Sequence, residues 1–167
     1  MTTDDIATVW DTHMQSEFVT KDIEAALDLM TDDAHVTHIP TMTGAHGRDE
    51  LRRYYAETFL RDMPDDVTLD RVGRVVGSAG LADELIARFT HTRELPFILP
   101  GVEPTGRSVE LPMVAVIGFR DGKIASEHLY WDQASVLCQI GLLGPGDLPI
   151  AGVEAARAFT SLIAGTR

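Results

Sequence analysis

The feature that most constrains this chain is a change of hydrophobic period at Met63-Pro64. Before it, the residues expected to face inward recur at helical spacing: Ile6, Val9, Trp10, His13, Met14 and Phe18, then Ile23, Ala26, Leu27 and Met30, then Leu51, Tyr54, Tyr55, Thr58 and Phe59. After it the period is two. Residues 67–77 and 81–93 alternate Val, Ile, Leu and Arg around a Ser-Ala-Gly break, a hairpin signal. Residues 108–120 and 123–132 flank Asp121-Gly122, a strong tight-turn dipeptide. Helices followed by an antiparallel meander predict an α+β domain, with a curved sheet wrapped around three N-terminal helices and a pocket between the layers. Residues 34–39 read as one short strand among the helices and 40–47 as a loop. Asp4 or Asp5 is expected to cap the first helix, Thr20 the second. Ala134 to Leu143 reads as a short closing helix, and 152–163 as a small amphipathic helix on a tail (144–167) of the same domain as 1–143.

At 167 residues the chain suits one domain with a core that needs no disulfide or metal to hold it. Fourteen basic against 26 acidic residues give a net charge of −12, with nine acids and one base in the first 33 positions. That balance argues against nucleic acid and anionic membrane as partners. The N-terminus lacks the apolar core of a signal peptide and no stretch reaches a membrane span, so a cytoplasmic address is expected. Cys138 is the single cysteine and excludes an internal disulfide.

Several local patterns then fall in a familiar order. The early strand ends in His38-Ile39-Pro40, and Gly47-Arg48-Asp49-Glu50-Leu51 opens the third helix. Pro104-Thr105-Gly106-Arg107 and Asp121-Gly122-Lys123-Ile124 follow. Glu127 to Gln133 (EHLYWDQ) and Gln139-Ile140-Gly141 complete the set. In this order, over roughly residues 5–143, the chain resembles the SnoaL-like polyketide cyclases of the nuclear transport factor 2-like superfamily. Phe89-Thr90-His91-Thr92 with YWDQAS resembles the subgroup fused to dienelactone-hydrolase-like domains, although no Gly-x-Ser-x-Gly elbow is present. The resemblance implies a cone-shaped α+β barrel and a role in cyclisation, isomerisation, dehydration, epoxide opening or ligand binding.

On the last strand, strict alternation places Ile124, Ser126, His128, Tyr130 and Asp132 on one face and Lys123, Ala125, Glu127, Leu129 and Trp131 on the other. An imidazole, a phenol and a carboxylate in a row read as a polar pocket wall or as an exposed face. The resemblance implies the pocket, with Asp132 as catalytic base beside His128 and Tyr130, and His38 as a further catalytic member. His38 also reads as a strand-end histidine bonded to backbone. His35 and His38, three apart on a strand, point to opposite faces and make a poor metal pair. With no His-Glu-x-x-His and no cysteine cluster, no metal is expected. His91 reads as pocket-lining or as a core histidine. Glu84 shares its strand face with Arg88, for which an outer salt bridge is the plain reading. Trp10, Met14 and Tyr54 face the interior, and the apolar Leu95-to-Leu99 run, with Phe97 at its centre, acts as a lid or as dimer interface. Trp10, Met14, Tyr54, Glu84, His91 and Phe97 are the candidate substrate contacts.

The function expected is acid/base chemistry, without a cofactor, on a small apolar molecule bearing a carbonyl. By resemblance this is a polyketide-type aldol cyclisation or an isomerisation. An epoxide hydrolase or dehydratase stands beside it and would need a second pocket carboxylate near an arginine, from Glu84 with Arg88 or Arg48. A non-catalytic binding protein is the third reading, favoured if His128, Tyr130 and Asp132 face solvent. Apolar residues on both faces of the central strands (Val72, Val75 and Val76; Val114, Val116, Ile117 and Phe119) predict a homodimer.

Overall fold

A computed structural model describes residues 2–164 except Pro145 and Asp147. Helix α1 spans Thr3–Gln15 and continues through a π-helical turn, Ser16–Thr20; α2 is Ile23–Asp28. Thr2, and not an aspartate, caps α1: its hydroxyl accepts from the Asp5 amide while the Asp5 carboxylate accepts from the Thr2 amide. Asp22 caps α2, and Thr20 only ends the π turn before Lys21 enters the left-handed region. Strand β1, Met30–His38, is longer than expected, and the segment read as a loop holds a second strand, β2, Thr43–His46, antiparallel to it. Thr41 and Thr43 carry a tight β1–β2 turn with Met42 at positive φ, so too few residues remain for a loop. Helix α3, Arg48–Tyr54, runs into a second π turn, Tyr55–Phe59, and a short α4, Leu60–Asp62.

The expected meander follows as β3 (Thr68–Gly77), β4 (Gly80–Thr90), β5 (Ser108–Arg120) and β6 (Lys123–Trp131). The six strands form one curved sheet in the order β2-β1-β6-β5-β4-β3, open at both edges, with β1 parallel to β6 and all other pairs antiparallel. Helices α1 to α3 pack on its concave side. Helix α5, Gln133–Gln139, packs against β5. Helix α6, Val153–Ala164, lies against β5, where Arg157 reaches Glu110. No helix among the described residues is long and apolar enough to cross a membrane.

Two apolar clusters fill the interior. One lies under the helices around Ile6, Trp10, Leu27, Leu51, Tyr55 and Ile117. The other lies under the 91–107 loop around Leu95, Phe97, Leu99, Leu111 and Val136. Because Leu95, Phe97 and Leu99 bury themselves there, the loop covers its own chain. Its backbone is pinned: the Thr41 and Thr43 hydroxyls donate to the Phe97 carbonyl, and the Gln133 amide donates to that of Ile98.

One irregularity decides which side chains the last strand turns inward. Across β5 and β6, Gly118 pairs with Ser126 but Phe119 pairs with Ile124, leaving Ala125 as an extra residue. This β-bulge reverses the alternation beyond it. Ile124 faces the core, but so do Glu127, Leu129 and Trp131, while Ser126, His128 and Tyr130 face outward.

Candidate active site

A cavity of about 70 Å³ lies between the concave face of the sheet and the helices, room for several water molecules. Its walls are mainly aromatic and aliphatic: Trp10, Met14, Phe18, Phe59, Phe97 and Trp131 are among them. The polar exceptions are Glu17, His38, Tyr54, Tyr55 and Glu127.

Behind that wall, α1 brings His13 and Glu17 to one side of the helix, four residues apart, and the bulged β6 brings Glu127 to meet them. All three are buried, His13 completely. The His13 Nδ1 lies 3.1 Å from the Ala26 carbonyl, which can only accept, so Nδ1 carries the hydrogen. The Nε2 then faces two carboxylates, with Glu17 Oε1 and Glu127 Oε1 each 3.0 Å away. One N–H cannot satisfy both. The two carboxylates therefore share it, and the Glu127 Oε1, with no other partner among the described residues, is left under-paired. Burial alone would depress His13, but the two carboxylates outweigh it and hold its pKa well above the usual histidine value. Burial raises the pKa of Glu127, only partly opposed by His13. Trp10 stacks on the imidazole at 5.5 Å and 17°, an arrangement that favours the charged ring. Its indole N–H is fixed by buried Asp83, which Arg74 grips through two nitrogens at 2.6 and 2.7 Å.

The second polar pair comes from β1 and α3. His38 Nε2 and the Tyr54 hydroxyl are 2.7 Å apart. Burial lowers the His38 pKa to about 4, so its ring is neutral near pH 7. Burial also raises the pKa of Tyr54 and Tyr55 well above the usual phenol, so both keep their protons. The His38 Nδ1 has no hydrogen-bond partner among the described residues, and the Tyr55 hydroxyl makes no well-formed hydrogen bond beyond its approach to Glu17. Five buried side-chain atoms lack a fully formed hydrogen bond among the described residues, and three of them, on His38, Tyr55 and Glu127, belong to walls of this one cavity. Glu17 and Tyr55 both sit in π-helical turns, a widening common at functional sites, which at Tyr54-Tyr55 lets two successive residues turn inward.

Of the residues expected from sequence, His38, Trp10, Met14, Tyr54 and Phe97 do line the cavity. Others do not. Asp132 is exposed and caps α5, accepting from the Ala134 and Ser135 amides at 2.9 and 3.2 Å, so its carboxylate is turned away from the cavity. His128 and Tyr130 are on the outer face, displaced by the bulge, with Tyr130 42% exposed. Glu84 is exposed beside Tyr130 and Phe159 in a shallow outer hollow. His91 is buried, but its Nδ1 accepts from the Thr105 amide and it lies outside the cavity wall. Arg88 makes the outer salt bridges expected of it, to Asp70 and Glu110, and Arg48 pairs with Glu24 and Asp28 at the surface. Sequence reasoning missed Glu17, Glu127 and the role of His13. The signal for the first was available, since Glu17 lies one turn beyond His13 on an apolar stripe; the signal for Glu127 was erased by the bulge.

A comparison with curated proteins finds no match. Solved structures share the fold at low identity. A hypothetical protein of ketosteroid isomerase-like fold from Catenulispora acidiphila, crystallised with trimethylamine, is 19% identical, with 85% of this chain and 96% of that one covered and a TM-score of 0.60. A putative SnoaL-like polyketide cyclase from Jannaschia sp. is 16% identical, covering 84% and 94%, with a TM-score of 0.63. TerC, crystallised with polyporic acid, is 15% identical, covering 81% and 98%, with a TM-score of 0.60. The family model described as SnoaL-like domain matches residues 11–127, from the middle of α1 to the inward-facing Glu127, so this chain belongs to the SnoaL-like domain family.

Proposed function

We propose that the protein is an acid/base enzyme that removes a proton beside the carbonyl of a small apolar molecule, in a cyclase- or isomerase-type reaction. The observation that carries this reading is the set of under-paired polar atoms in an otherwise apolar cavity: a carboxylate oxygen on Glu127 that shares one imidazolium N–H with Glu17, a phenol on Tyr55 and an imidazole nitrogen on His38. Unpaired buried polar groups are costly to a fold, and a ligand that pairs them offsets the cost. Glu127 is the base. Its raised pKa makes it a stronger base than an ordinary carboxylate, and His13⁺, held between it and Glu17, keeps it from being permanently protonated. Tyr55 and the Tyr54–His38 pair are placed to donate to the oxygen on which negative charge develops. The arrangement uses one environment to raise a carboxylate and another to keep phenols protonated. The names of similar folds, a polyketide cyclase and proteins holding small ligands, agree with a small-molecule substrate. Two carboxylates in one cavity also suit water activation by a dehydratase or epoxide hydrolase, the second reading.

The proposal extends to a cytoplasmic homodimer. Val75, Val116 and Tyr130 lie exposed on the outer face of the sheet, 74%, 39% and 42% accessible. The test of the reaction uses 2-tetralone, a compact apolar ketone, in D₂O. Wild-type protein should accelerate deuterium exchange at its acidic carbon, read by proton NMR, and Glu127→Gln should not. Equal rates with the two proteins would sink the reading.

A further inference from the structure

The chain has six histidines, and three of them, His35, His46 and His128, gather on the outer face of the sheet, away from the cavity. They come from three adjacent strands. His46 on β2 is the direct cross-strand partner of His35 on β1. His128 lies on β6, the other neighbour of β1, two positions beyond Ser126, which pairs with His35. The rings form a row: His35 and His46 are stacked at 6.1 Å, and His35 and His128 meet at 5.1 Å with their Nε2 atoms 2.9 Å apart. Each of those two nitrogens is the other's hydrogen-bond partner.

We propose that this row is a site for a borderline divalent transition ion of the zinc or copper class, held by His35 and His128 with His46 as the third ligand. Imidazole is the preferred side chain for such ions. An ion about 2.0–2.1 Å from each Nε2 needs those atoms roughly 3 Å apart, close to the separation already present. A slight turn of the two rings points both lone pairs at one centre. His46 is exposed, so its ring is free to swing toward the same point. The strands supply a rigid base, since all three histidines are fixed by the pairing register and not by a loop. Only neutral imidazole binds a metal. Asp33 lies two residues from His35 on the same strand. Asp33 is itself engaged by Arg120. The site is separate from the His13, Glu17 and Glu127 cluster on the opposite side of the sheet, whose three ligand-type atoms already lie within 4.8 Å of one another but close on themselves, whereas in the outer row only His35 and His128 are in ligand range and His46 must swing in.

The test is calorimetric titration of chelator-treated protein with zinc chloride at pH 7.5, joined to copper electron paramagnetic resonance. One ion per chain should bind. His35→Gln and His128→Gln should each weaken binding at least about tenfold, His46→Gln less, with circular dichroism unchanged. The copper spectrum should carry splitting from two or three imidazole nitrogens. Absence of binding, or unchanged affinity in the double variant His35→Gln with His128→Gln, overturns the proposal. Loss of binding in Glu17→Gln or Glu127→Gln, with the outer histidines intact, also overturns it and places the ion inside.

Discussion

Glu127 and Asp132 lie five positions apart and have opposite fates. Both are carboxylates near the end of the last strand. Glu127 is nearly inaccessible and shares a single charged imidazole with Glu17, whereas Asp132 is exposed and spends its oxygen on two helix-start amides. Glu127→Gln should lower turnover by about 10²–10⁴-fold, the usual contribution of a positioned base, without loss of fold. Asp132→Ala should cost about 1 kcal/mol through the lost cap and leave proton exchange unchanged. The reverse pattern in exchange rates would restore Asp132 as the base. His38 gives a second residue-level prediction. Its pKa falls from 6.5 to about 4 in the fold. Between these values the unfolded chain takes up a proton that the fold refuses, so stability drops as pH falls through that window, by at most about 3 kcal/mol. His38→Gln should flatten this acid limb in urea unfolding measured from pH 7 to 4; an unchanged limb would contradict the burial of a neutral ring. His13 acts with the opposite sign. Its pKa is raised, so its contribution is complete below the ordinary histidine value and is lost as pH rises through the raised one.

Among the elements, β6 carries the most consequence. Ala125 is the extra residue of the bulge, and beyond it every side chain takes the face opposite to strict alternation. Deleting Ala125 should leave Ile124 and Glu127 both facing inward in a regular strand. The shortened protein should fold, losing no more than about 1 kcal/mol, and keep proton exchange. Were β6 regular in the native chain, the deletion would turn Glu127, Leu129 and Trp131 outward and destroy the core, so insoluble protein would contradict the bulge. This also marks where the sequence is legible. The helix-to-strand change at Pro64, the two hairpins and the inward stripe of α1 with Trp10 and Met14 could be read from periodicity, because those elements are regular. Strand β2 could not, since its four residues, with a glycine among them, carry no alternation. The site was half legible: His38, Tyr54, Trp10, Met14 and Phe97 were expected and line the cavity. The facing of the two carboxylates was not legible, because a single inserted residue changes a face without changing composition, and because an Asp before a short helix reads equally as strand end or cap.

At the scale of the whole molecule, the sheet divides the protein into two chemical sides. The concave side holds an apolar cavity with a buried His–Glu–Glu cluster, and the outer side holds the histidine row, Tyr130 and exposed valines. Helix α6 occupies part of that outer side against β5, near Glu110 and Tyr130. The exposed apolar remainder is the expected seat of a second copy. Light scattering at micromolar concentration should give about twice the chain mass of 18.3 kDa; the monomer mass would remove the dimer. The central claim, that Glu127 is a buried, under-paired carboxylate poised as a base, can be tested without a substrate. Protein labelled with ¹³C at glutamate side-chain carboxyls would be titrated by NMR, with Glu127→Gln to assign the resonance. One glutamate should titrate above the ordinary value of 4.5 and be missing from the variant. Glutamates that all titrate at or below that value, Glu127 included, would contradict it.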